Sequence, residues 1–134
     1  MLKIWIDGAC RPNPGKGGIG IVIRGDGWDY TISEPLDGKV SNNQAEYGAL
    51  THALIELLAN GCADKEILIH SDSQMLVEQM SGNRGVDKGG KYVEAYQEAM
   101  QLDKLFTNLM YVWIGREQNA EANLLASQGT KKTP

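Results

Sequence analysis

Apolar and polar residues alternate from Leu2 to Asp7, the mark of a strand with one covered face. "GIGIVIR" (18–24) and "WDYTISE" (28–34) read as two more strands, and the Gly25-Asp26-Gly27 between them marks a tight hairpin. From Asn43 the period lengthens: Leu50, Ala53, Leu54, Leu57 and Leu58 recur at helical spacing up to the Asn60-Gly61 stop. "KEILIHS" (65–71) is a short, nearly continuous apolar run, as expected of a strand covered on both faces. The pattern then predicts a helix from about Ser73, with Met75, Leu76 and Met80 inward, and a loop rich in glycine and charge over 82–90. A further helix runs from Lys91 to about Phe106, with Val93, Tyr96, Ala99, Met100 and Leu102 as its inner face. "LMYVWI" (109–114) is a fifth strand, and Gln118 to about Gln128 a closing helix. This order predicts an α/β fold: a five-stranded mixed sheet, three strands antiparallel and two parallel, with helices on both faces. That architecture hosts many functions, so function must be read from particular residues.

Length and charge narrow the field. The 134 residues make one domain, expected over 1–128, with the polar stretch 129–134 as a flexible tail. Charged and apolar fractions of 22% and 42% are ordinary for a globular protein. A net charge of -4 argues against holding nucleic acid by overall charge, so a polyanionic partner needs a local basic patch or bound cations. Cys10 and Cys62 are too few for a disulfide framework, and neither a secretory segment nor a membrane span is visible. A reducing cytoplasm and a monomer are the expectations.

Asp7 and Asp72 each follow an apolar strand. If those strands are parallel neighbours, both side chains lie at the same carboxyl edge, where open α/β sheets bind ligands. Taken singly, each also fits a local use, Asp7 as a turn residue and Asp72 as the cap of the next helix. Glu46 is harder to explain locally. It shares the helical stripe of Leu50, Ala53 and Leu57, which aims it at the sheet, where an unpaired carboxylate is costly or takes up a proton. Three carboxylates meeting at one edge repel one another unless a cation offsets them, and an all-oxygen site with few protein ligands suits Mg²⁺. Two such ions about 4 Å apart can activate a water and stabilise a leaving oxygen on a phosphate.

Four segments carry a family resemblance: "IDGACRPNPGKGGIG", "SNNQAEYGAL", "SDSQMLVEQMSG" and "REQNAEANLLA". In order and separation they resemble the four sequence blocks of type 1 ribonuclease H, over roughly residues 3 to 128. The resemblance implies a ribonuclease H-like fold and metal-dependent cleavage of the RNA strand of RNA/DNA hybrids, giving 5′-phosphate and 3′-hydroxyl ends. It implies Asp7, Glu46 and Asp72 as the metal-binding acids, with Asp7 bridging two Mg²⁺ ions and Mn²⁺ as a substitute. The fourth acid of the family falls on Asn123, whose amide offers a neutral oxygen to a cation but cannot act as a base. Catalysis with altered metal preference is the expectation; a hybrid-binding protein that does not cut is the alternative. The family's usual histidine before the last helix is missing from "WIGREQN", where Arg116 and Glu117 are the nearest substitutes. His52 and His70 are expected to have hydrogen-bonded structural roles instead.

Telling RNA from DNA requires sensing the 2′-hydroxyl from the minor groove. The resemblance places Cys10, Asn13, Asn42, Asn43 and Gln74 there, with Ser41 near a DNA phosphate. Singly these are ordinary turn and cap residues. Arg11, Lys16, Arg84, Lys88, Lys91 and Arg116 could contact phosphates, which implies modest, salt-sensitive affinity and little sequence preference. Nucleotide binding by "GKGGIG" fits poorly, because these glycines lead into a strand rather than opening a helix. Cleavage of double-stranded RNA stays open as a wider substrate range.

Overall fold

A computed structural model describes all 134 residues. Three strands open the chain, β1 (Leu2–Arg11), β2 (Gly15–Gly25) and β3 (Trp28–Val40). They are followed by α1 (Asn42–Ala59), β4 (Glu66–Ser71), α2 (Gln74–Met80), α3 (Val93–Asp103), β5 (Asn108–Trp113), a 3-10 turn (Arg116–Asn119) and α4 (Ala120–Gly129). The sheet runs β3-β2-β1-β4-β5, with β1, β2 and β3 antiparallel and β4 parallel to both β1 and β5. The five-stranded mixed α/β sheet is the one expected from the sequence.

Register explains the core. Ile4 lies beside Ile23 and Ile69, and Ile6 beside Ile21 and Ser71, so these side chains share one face. There they pack with Tyr47, Leu50, Ala53, Leu54 and Leu57 of α1, all fully buried. Each buried isoleucine or leucine contributes about 2 kcal/mol of transfer free energy. On the other face lie Asp7 and Gly20, register partners, and then Gly18, and α4 rests on the two glycines. A Cβ at Gly20 would collide with the Ala122 carbonyl, and one at Gly18 with the backbone at Ala126 and Thr130. Glycine is required there because α4 rests on bare strand.

The first three strands run further than their hydrophobic pattern. The segment "ACRPNPGKGG" reads as loop, yet Ala9, Cys10 and Arg11 pair with Gly18, Gly17 and Lys16. A ladder is built from backbone groups, and of the glycines that weaken the strand signal Gly18 is demanded by α4, while Gly15 and Gly17 face Arg11–Pro12 and the Leu36 and Val40 side chains. Asp7 therefore sits inside β1 rather than at its end, although it is the first residue beyond the β1–β4 pairing, which stops at Ile6 and Ser71. Four smaller differences follow. β4 buries only alternate residues, because α4 covers β1 to β3 and leaves Leu68 and His70 half-exposed. α3 is shorter than its pattern at both ends. Gly129 and Thr130, expected in the tail, are buried, and the exposed end begins at Lys131. His70 donates through Nδ1 to the Ile4 carbonyl (2.9 Å) and stacks on Trp5, whereas His52, half-buried on α1, forms no ring hydrogen bond. No helix is long and apolar enough to cross a membrane.

Candidate active site

Asp7 and Asp72 are consecutive neighbours of a register pair: each follows the last residue, Ile6 or Ser71, that joins β1 to β4. The strand pairing thus delivers two carboxylates to one edge. Asp72 is free to serve there because Ser73, not Asp72, caps α2, its hydroxyl accepting from the Leu76 N–H (3.3 Å). α1 brings the third acid. Its start is fixed by a capping box in which Ser41 Oγ accepts from the Gln44 N–H and Gln44 Oε1 from the Ser41 N–H (2.7 Å). The helix then crosses β1 at Gly8, where a Cβ would collide with the backbone of Ala45 and Glu46. That approach lets the Gly8 N–H donate to Glu46 Oε1 at 2.6 Å.

One oxygen from each of Asp7, Glu46 and Asp72 can be chosen so that all three lie within 4.8 Å of one another. Asp7 and Glu46 are 9% and 7% exposed. At that separation two charges repel by roughly 3 kcal/mol at an effective dielectric of about 20. Burial, reinforced by the charge of Asp72, pushes the Asp7 carboxyl up to about 7, although Arg116 and the Gly8 N–H pull it down. Burial, and then Asp7, hold Glu46 well above the usual carboxylate range. An all-oxygen, over-acidic cluster of this kind fits a hard divalent cation and fits a softer or larger cofactor poorly.

The acids form the floor of a cleft of about 450 Å³ whose walls include Cys10, Arg11, Asn42, Arg116 and Asn123. These expected site residues are together. Asn123 Nδ2 donates to the Arg116 carbonyl (3.3 Å), and Arg116 faces Asp7 while Glu117 is not part of the wall. Asn13 stands at the rim, its Oδ1 accepting from the Asn42 N–H (3.1 Å). Ser41 is engaged as the α1 cap, and Asn43 lies half-buried in the first turn. Others are not gathered at the cleft: Gln74 and Arg84 both bond to Glu78, Lys16 lies across the ladder from Arg11, and Lys88 and Lys91 are exposed on the segment between α2 and α3. Ser127 was not foreseen, although it stands one helical turn beyond Asn123 on the same face. It lines the cleft and accepts from Arg11 Nη2 at 2.6 Å.

Comparison with known proteins agrees with this arrangement. The model of the family described as reverse transcriptase-like matches residues 6–129. The putative hydrolase EbsB of Enterococcus faecalis is 38% identical over 98% of this chain and 96% of its own. Ribonuclease H of Actinobacillus succinogenes is 31% identical, with 98% of this chain and 90% of the relative covered. The chain belongs to the ribonuclease H family. The solved LC11-RNase H1, in complex with an RNA/DNA hybrid, superposes with a TM-score of 0.87 at 32% identity, covering 98% of this chain and 97% of that one. The ribonuclease H fold expected from the four sequence blocks is thus the observed fold, and its candidate acids converge.

Proposed function

We propose that this ribonuclease H cuts the RNA strand of RNA/DNA hybrids with divalent metal ions, leaving 5′-phosphate and 3′-hydroxyl ends. The observation that carries the reading is the convergence of Asp7, Glu46 and Asp72 within 4.8 Å at the open edge of the sheet. Their oxygens would hold two Mg²⁺ ions, with Mn²⁺ as a substitute. Ions held there would supply Lewis acidity to the scissile phosphate and a nucleophilic water. Gly8 fixes Glu46 through its N–H, so that one carboxylate oxygen is already oriented before substrate arrives. Asn123 stands at the fourth position; with Nδ2 given to the Arg116 carbonyl, its Oδ1 is the atom left for a cation. Arg116 takes the place where the family's histidine is missing and meets phosphate oxygens as a fixed cation. The cleft admits part of one strand rather than a duplex, so the hybrid lies across the surface. Cys10 and Asn42 in the wall and Asn13 at the rim then face its minor groove.

A labelled hybrid incubated with Mg²⁺ or Mn²⁺, beside the matching RNA duplex, tests this. Cleavage of the hybrid's RNA strand is expected, with a loss of about 10³-fold or more in Asp7→Asn. If the unaltered chain cuts in neither metal while Asn123→Asp does, the active reading fails and a non-cutting hybrid binder replaces it.

A further inference from the structure

The segment from Ile114 to Asn119 crosses the carboxyl edge of the sheet and fastens to it at two points. The Ile114 N–H donates to the Ser71 carbonyl (3.0 Å), and Asn119 Nδ2 donates to the Ile6 carbonyl (2.9 Å). Ser71 and Ile6 are register partners, and each immediately precedes one of the two aspartates. The strap therefore holds the two peptide units from which Asp7 and Asp72 project. Its second fastening is the only one made by a side chain. Asn119 is 2% exposed, and its Oδ1 is buried without any hydrogen-bond partner. It borders a cavity of about 60 Å³ lined by Trp5, Val22, Gln118, Glu121 and Ala122.

A buried acceptor with no partner is a poor choice for stability alone, since an apolar residue would fill the space without it. What an apolar residue cannot supply is the donor to Ile6. Asn119 also stands at the head of α4, one turn before Asn123, whose own amide returns to the strap at Arg116. One buried amide thus ties the strand bearing Asp7 to the helix bearing Asn123. We infer that Asn119 is a positioning residue that sets the spacing of the acids and the fourth ligand. This rests on the proposed function: on its metal site for the Mn²⁺ arm and on its cleavage for the kinetic arm. Displacements of about 1 Å in such a constellation cost up to about 10²-fold in rate.

The test compares the unaltered chain with Asn119→Ala and Asn119→Ser, each held well below its own melting temperature. Mn²⁺ binding is read by electron paramagnetic resonance without nucleic acid, and kcat and KM with hybrid. Asn119→Ala is expected to weaken Mn²⁺ binding by about 5-fold or more and to lower kcat by about 10- to 100-fold, with KM within twofold. Asn119→Ser, whose hydroxyl can reach Ile6 through a water in the enlarged cavity, is expected to recover part of both. A folded variant with unaltered Mn²⁺ affinity and kcat overturns the inference, as does a rise in KM alone. If Asn119→Ala does not fold, Asn119→Ser decides by the same criteria. If the unaltered chain proves unable to cut hybrids, the proposed function falls, and Mn²⁺ affinity still judges the role of Asn119.

Discussion

Removing one acid from the cluster should stabilise the metal-free protein, and the size of the gain can be worked out. The Asp7 carboxyl has an ordinary value of 3.8 and is pushed up to about 7 in the fold, chiefly by burial. Between those values the folded chain keeps a proton that the unfolded chain has lost. Stability therefore falls as pH rises through this window, and the loss is complete above it. The full difference is about 4 kcal/mol at pH 8 and only about 1 kcal/mol at pH 4.5. Asp7→Asn keeps the shape, removes the charge and can donate to Glu46. For a chain of this length it should raise the metal-free melting temperature by roughly 10 to 15 °C at pH 8 and by a few degrees at pH 4.5. The assay is thermal unfolding by circular dichroism in a chelator at both pH values, repeated with Mg²⁺. The ion should stabilise the unaltered chain at pH 8 and leave Asp7→Asn nearly unchanged. A gain that is absent at pH 8, or that does not shrink with acid, would refute the electrostatic account of the site.

Three other outcomes are expected. Gly8→Ala drives a methyl into the backbone of α1 and should destabilise by about 1 to 3 kcal/mol in urea unfolding while weakening Mn²⁺ binding, because Glu46 moves with the helix. Gln79→Leu removes the amide that accepts from Tyr47 and donates to Tyr92 and the Gly85 carbonyl. It should cost about 2 to 3 kcal/mol and speed hydrogen exchange over 82–92. Lys88→Ala should raise KM for hybrids at low salt with kcat unchanged; an unaltered KM would remove Lys88 from the binding surface.

Glu46 was legible in the sequence because a carboxylate on an apolar helical stripe has no ordinary explanation, and the two aspartates were legible because parallel pairing gathers the residues that follow its last pair. The extension of β1 and β2 past Asp7 was not. Proline, asparagine and glycine punctuate that stretch, and the reason for Gly18 and Gly20, a helix resting on them, lies about 100 residues away in the chain. The bonds of Gln74 and Arg84 to Glu78 were not legible either, because they depend on side-chain geometry that spacing does not reveal. Asn119 lay in plain sight within the last block. Nothing in its neighbours announces that its partner is a carbonyl of the first strand.

The seating of α4 on Gly18 and Gly20 has a mechanical meaning. At these two positions the strand has no side chain and the α4 backbone lies directly on it, so the height of the helix there is set by main-chain dimensions rather than by rotamers, and Asn123 and Ser127 ride on that stop. A single methyl group at either glycine would work as a shim, lifting that wall of the cleft as one piece without altering any residue that lines it.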